Sequence, residues 1–139
     1  APGCLAHRGV LEEIAALAGP EEALPGGGTL VVEPTRALVA VDVNTGPDTS
    51  PAAALKANLA ALRALPRALR LRGLGGQVVV DLAPLSKKDR RQAEQVAKAA
   101  LKACPVETAF VGWTPLGHVE LMRKRERVPL DRALLEAAA

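Results

Sequence analysis

Two aspartates stand where an acidic side chain needs a reason to be. Asp42 closes the apolar run Val39-Ala40-Val41, and Asp81 closes Val78-Val79-Val80. A carboxylate at the end of a buried strand is costly unless it is solvated, paired or bound to a cation. Strand alternation puts Leu38, Ala40, Asp42 and Asn44 on one face and Val39, Val41 and Val43 on the other. On neighbouring strands, about 4.8 Å apart, two such carboxylates can reach one small cation at roughly 2.1 Å each. Two oxygen donors with several open positions suit a hydrated magnesium ion better than zinc. The bland reading is that each Asp caps a turn or a following helix. The same ending on two similar runs weighs against it.

The segment between the runs decides whether the aspartates can meet. Ser50-Pro51 has the chemistry of a helix start, and Leu55, Leu59, Leu62, Leu65 and Leu69 follow at spacings of three and four until Gly73. Pro66 falls inside this helix, so a kink or two shorter helices are expected. Strand, helix and strand make a βαβ unit, whose right-handed crossover sets the strands parallel. Both aspartates then sit at the carboxyl ends of the strands, where open α/β sheets bind ligands.

The remaining elements build an α/β fold: a mixed β-sheet with a βαβ crossover and flanking helices. Val10 to Ala18 carries a short helical stripe ending at Gly19-Pro20. Leu24-Pro25-Gly26-Gly27-Gly28 is a loop leading into the sheet, and Thr29–Glu33 pairs with Ala37–Asn44 as an antiparallel hairpin. Ser86-x-x-Asp89 opens a further helix with a capping box, its buried stripe being Val96, Ala97, Ala100 and Leu101, and Cys104-Pro105 closes it. Strands over Val106–Val111 and His118–Lys124 come next, and Leu130 to Ala139 forms a short helix. The expected organisation is an N-terminal helical segment over 1–23, one subdomain over 24–130, and a tail or short helix over 131–139.

Composition narrows the function. At 139 residues and 49% hydrophobic content the chain can build one core, but one Trp, one Phe and no Tyr nearly exclude recognition by aromatic base stacking. The net charge is only +3, yet the 18 Lys and Arg are clustered, which points to a polyanion partner. Lys87 and Lys88 occupy a first helical turn, where the macrodipole disfavours cations, so an anion is expected beside them. Lys56, Arg63, Arg67 and Arg70 repeat as the wet face of a helix, while Arg123 and Arg125 share a strand face. Cys4 and Cys104 lack CxxC spacing, so neither a zinc site nor a disulfide is indicated, and a cytoplasmic chain with reduced thiols is expected. No run is long enough for a membrane span, and no signal peptide is expected. His7 and His118 are read as structural, and no His lies near the aspartates in sequence, which argues against cleavage through the 2′-hydroxyl by a His pair.

With these elements placed, the chain from about Leu24 to Leu130 resembles the catalytic, deoxyribonuclease I-like subdomain of the bacterial ribonuclease E/G family. The likeness is carried by Leu24-Pro25-Gly26-Gly27-Gly28, Val32-Glu33-Pro34-Thr35-Arg36-Ala37-Leu38, Val41-Asp42-Val43-Asn44-Thr45-Gly46, Asn58-Leu59, Leu69-Arg70-Leu71-Arg72-Gly73-Leu74-Gly75-Gly76, Val79-Val80-Asp81 and Gly117-His118-Val119-Glu120-Leu121-Met122-Arg123-Lys124-Arg125. The resemblance implies a magnesium ion on Asp42 and Asp81, positioned with the help of Asn44. It also implies hydrolysis of single-stranded RNA by metal-activated water, leaving a 5′-phosphate on the downstream product. Arg70, Arg72, Arg123 and Arg125 lie in its motifs and join Lys87 and Lys88 as expected RNA contacts.

Departures from the family pattern are Pro84 in place of a second acidic residue after the metal Asp, and Pro115 and Leu116 in place of Arg and Phe. The family's CxxC zinc link is not found after Arg125, so a homo-oligomer would form without it. Its S1 and 5′-end sensing regions do not precede the segment, and a start without Met is expected of a fragment or trimmed product. Two alternatives stay open: a non-catalytic RNA-binding module on the same fold, and a catalytic subdomain that is inactive without the family's N-terminal regions.

Overall fold

The computed structural model describes residues 19–125. The helices expected over Val10–Ala18 and from Leu130, together with Cys4 and His7, lie outside the described residues. The elements run β1 (Glu21–Ala23), β2 (Thr29–Pro34), β3 (Val39–Asn44), α1 (Pro51–Arg72), β4 (Gly76–Asp81), α2 (Lys87–Ala103), β5 (Thr108–Trp113) and β6 (Val119–Arg123). They form one six-stranded sheet in the order β1-β2-β3-β4-β6-β5. Strands β3 and β4 are parallel, and the other neighbours are antiparallel.

The sequence pattern accounts for most of this. Alternation in β3 buries Val39, Val41 and Val43 and exposes Ala40, Asp42 and Asn44. Leu30 and Val32 of β2, Val78 and Val80 of β4, and Val119 and Leu121 of β6 are buried in the same cluster. Burying a Leu or Val side chain contributes about 1.5–3 kcal/mol, so this face holds the sheet's register. Ala57, Ala61, Leu65, Ala68 and Leu69 of α1 belong to that cluster, whereas Leu59 and Leu62 pack with Ala93 and Ala97 of α2. Both helices thus lie on one face of the sheet, α1 over β2 and β3 and α2 over β5, and they pack against each other, while the opposite face carries no described helix. Among the described residues no helix is long and apolar enough to cross a membrane.

Both helices begin at serine caps. Ser50 Oγ accepts from the Ala53 N–H at 3.2 Å, and Ser86 Oγ accepts from the Asp89 N–H at 3.2 Å. Ahead of α1, Asp48 Oδ1 accepts from the Ser50 N–H at 2.9 Å, and that backbone bond, with one from the Ser50 side chain, holds the Asp48 carboxyl below its ordinary value. This contact is therefore present at neutral pH and is lost only as acid protonates Asp48.

Three expectations are revised. Glu21–Ala23, placed in a helical segment, is the edge strand β1, paired with Val31, Leu30 and Thr29. Three residues of Glu-Glu-Ala carry no alternation to read, and their extended form comes from the pairing. Of the two outcomes expected at Pro66, two shorter helices do not form: α1 is one helix through Pro66, which is itself buried. Packing of Leu65 and Leu69 on the sheet and Leu62 on α2 outweighs the roughly 3 kcal/mol penalty of an internal proline. Strand β5 starts at Thr108 rather than Val106 and extends to Trp113 across a register shift between Phe110 and Gly112.

Helix α1 stops at Gly73, whose φ of 66° and ψ of 30° lie in the left-handed region, with its N–H bonded to the Arg70 carbonyl at 3.1 Å. An added Cβ costs about 1 kcal/mol there. Gly73→Ala is expected to lower the unfolding free energy by that amount in urea titration with an unchanged slope. An unaltered midpoint would show that the helix end relaxes away from this conformation.

Candidate functional site

Asp42 and Asp81 are Cα partners in the parallel β3–β4 ladder. Their side chains therefore leave the same, helix-free face of the sheet side by side. In β2 the residue opposite Asp42 is Val31, and continuing the β4–β6 register one step beyond Val80–Val119 sets His118 opposite Asp81. One row thus crosses four strands as Val31, Asp42, Asp81 and His118. All four line a shallow cavity of about 440 Å³ with Glu33, Leu38, Ala40, Val41 and Val79.

Both carboxylates are exposed and lightly held. Asn44 Nδ2 donates to Asp42 Oδ2 at 3.4 Å, and His118 Nδ1 lies 3.3 Å from Asp81 Oδ1, an ion pair when the imidazole is protonated. The turn that carries His118 is fixed by its own bonds. The Thr114 N–H donates to the His118 carbonyl at 2.8 Å, and the His118 N–H donates to Thr114 Oγ1 at 3.0 Å.

The donor set is chemically selective. Among the described residues no group of three or more His, Cys, Asp or Glu side chains could hold a metal ion, which disfavours a closed zinc site. Two exposed carboxylates on adjacent strands fit a hydrated magnesium ion, which keeps most of its waters and takes one or two protein carboxylates.

The position of Asp81 is secured from behind. Asn58 on α1 is fully buried; its Nδ2 donates to the Ala83 carbonyl at 2.8 Å and its Oδ1 accepts from the Ala83 N–H at 3.0 Å. This two-point bond ties the chain leaving β4 to the helix. The signal in the sequence was an amide among the leucines of a buried stripe. His118 and Asn58 were both within matching stretches, but neither had been given a role at the site. His118 lies far from Asp81 in sequence, and only the β4–β6 pairing brings them together.

The expected basic contacts divide. Lys87 and Lys88 are exposed at the start of α2, the aspartate end of the sheet, and line neither cavity bordering Asp81. Arg70 and Arg72 end α1, and Arg123 pairs with Gly76 at the start of β4, so these three and Arg125 lie at the opposite end of the sheet. Arg72 is buried, bonded to the Gly19 and Ala68 carbonyls and paired with Glu22 at 3.3 Å. Arg123 is also buried, donating to Thr108 Oγ1 at 3.0 Å and to Cys104 Sγ at 3.7 Å. The structure does not bring Arg70, Arg72, Arg123 or Arg125 to the aspartates, and the cation that does border Asp81 is Arg90.

Residues 3–126 match the Ribonuclease E/G family. The chain belongs to that family. It is 36% identical over 120 residues to ribonuclease G of Salmonella typhimurium, covering 80% of this chain and 24% of the relative. With ribonuclease E of Nostoc it shares 39% over 112 residues, 77% of this chain and 16% of the relative. With ribonuclease G of Haemophilus influenzae it shares 32% over 118 residues, 81% and 24% respectively. The chain therefore spans a quarter or less of the length of these ribonuclease E/G relatives.

Replacing Asn58 by Leu keeps the bulk and strands the Ala83 N–H and carbonyl. Each lost partner costs about 1–3 kcal/mol, so a loss of about 2–4 kcal/mol is expected in urea unfolding. Parent-like stability would show that solvent satisfies both groups and that the clamp is dispensable.

Proposed function

We propose that this chain is the metal-binding, catalytic part of a ribonuclease E/G endoribonuclease that hydrolyses single-stranded RNA with magnesium. The observation that carries the proposal is the side-by-side placement of Asp42 and Asp81 on an open sheet face. Its relatives' names supply the reaction class.

Asp42 and Asp81 would hold the ion. When bound there, magnesium lowers the pKa of a water and neutralises charge on the scissile phosphate. Asn44, whose Nδ2 donates to Asp42 Oδ2 at 3.4 Å, would help position the Asp42 carboxylate. His118, whose Nδ1 lies 3.3 Å from Asp81 Oδ1, would steady that carboxylate from the neighbouring chain segment. The face offers a shallow hollow rather than a deep pocket, which suits an extended single strand lying across it. Lys87 and Lys88, exposed at the same end of the sheet, add sequence-independent attraction for the backbone.

The test is cleavage of a labelled single-stranded oligoribonucleotide by the chain, with products analysed for 5′-phosphate ends. Magnesium-dependent cutting is expected to be abolished by chelation and by Asp42→Asn or Asp81→Asn. Asn44→Ala is expected to weaken metal affinity about 10- to 100-fold, read as a rise in the magnesium concentration for half activity. RNA binding without cutting would leave a binding module. Cutting only by a longer protein that contains this segment would assign activity to the assembly of parts. Undiminished cutting by both Asp variants would refute the site.

A further inference from the structure

A second hollow adjoins the first. It has a volume of about 240 Å³ and is lined by residues that include Asp81, Pro84, Arg90, Trp113, Leu116 and Gly117. Resting on the reading of the chain as an RNA-acting protein, we propose that this hollow is a subsite for an RNA backbone phosphate next to the one at Asp42 and Asp81, with Arg90 as the group that binds it.

The guanidinium of Arg90 is held in place. Its carbon sits 5.2 Å from the centroid of the Trp113 ring, within cation–π range. Its edge lies against the turn before His118, since a Cβ on Gly117 would stand 2.6 Å from Arg90 Nη2. Trp113 is itself fixed: Nε1 donates to Glu94 Oε1 at 3.0 Å, and Phe110 packs edge-on with centroids 6.5 Å apart. A cation oriented by the fold loses little freedom when it binds an anion.

That cation is also not engaged in a salt bridge among the described residues, and Asp81, on the wall of the same hollow, pairs with His118 instead. A guanidinium in the hollow that Asp81 borders fits a strand that sets one phosphate at the aspartate pair and the next at Arg90. Guanidinium geometry favours bidentate phosphate binding. Arg90 lies over the Trp113 ring, so the ring's part is to orient the cation. Leu116, 85% exposed at the lip, offers apolar contact without reading sequence.

The test uses the full chain of 139 residues carrying Asp42→Asn and Asp81→Asn, so that binding is read without cleavage. Fluorescence anisotropy with a labelled single-stranded oligoribonucleotide is followed between about 50 and 200 mM salt. Adding Arg90→Gln is expected to weaken binding several-fold and to reduce the slope of log affinity against log salt by about 0.7, the value for one phosphate on a single strand. Arg90→Lys is expected to restore the slope. Leu116→Glu, at a side chain too exposed to affect packing, is expected to weaken binding by placing a carboxylate in the phosphate's path, and it serves even if Arg90→Gln fails to fold. Unchanged slope in Arg90→Gln, unchanged affinity in Leu116→Glu, or no RNA binding by the chain would overturn the subsite. Loss of slope, where neither the chain with its aspartates intact nor a longer protein containing it cuts RNA, would uphold the subsite and remove the hydrolysis reading, whereas cutting with an unchanged slope would do the reverse.

Discussion

The parallel pairing of β3 with β4 is the constraint on which the rest depends. Asp42 faces Asp81 because Val39, Val41, Val78 and Val80 are buried together on the other side of the sheet. A slip of one residue would turn an aspartate into the core and a valine into water. The register of the carboxylates is thus set by the hydrophobic energy of residues that touch no ligand. Asn58 adds a polar lock to the same arrangement, fixing the exit of β4 against α1.

Layering then assigns the two faces different duties. The β3–α1–β4 crossover and α2 lie on one side, both packed on the sheet and against each other. The other side keeps its row of Val31, Asp42, Asp81 and His118 open. The antiparallel return of β6 brings His118 to Asp81, and the β5–β6 turn brings Gly117 to Arg90. The aspartate pair and the Arg90 guanidinium therefore share Asp81 as a common wall, each supported by different elements.

What could be read in the sequence was what local pattern encodes. Alternation and apolar endings gave β3, β4 and the shared face of the aspartates, and Ser50 and Ser86 marked both helix starts. The family membership followed from motif order. What escaped depended on partners distant in the chain. Glu21–Ala23 is a strand only because β2 lies beside it. Arg72 and Arg123 read as surface cations, yet Glu22 and Thr108 draw them inside. Arg90 lies in a run of charges with no local pattern to mark it, and only the Trp113 ring and the Gly117 turn set it apart. Pro66 does not split α1, because packing on two sides carries the helix through it.

The central claim is that Asp42 and Asp81 make one divalent-cation site, and paramagnetic manganese tests it most directly. In amide NMR spectra of the chain, substoichiometric manganese should broaden the signals at Asp42 and Asp81 together, at the same concentration, and magnesium should reverse the effect. Broadening of one without the other, or broadening centred elsewhere, would contradict the account.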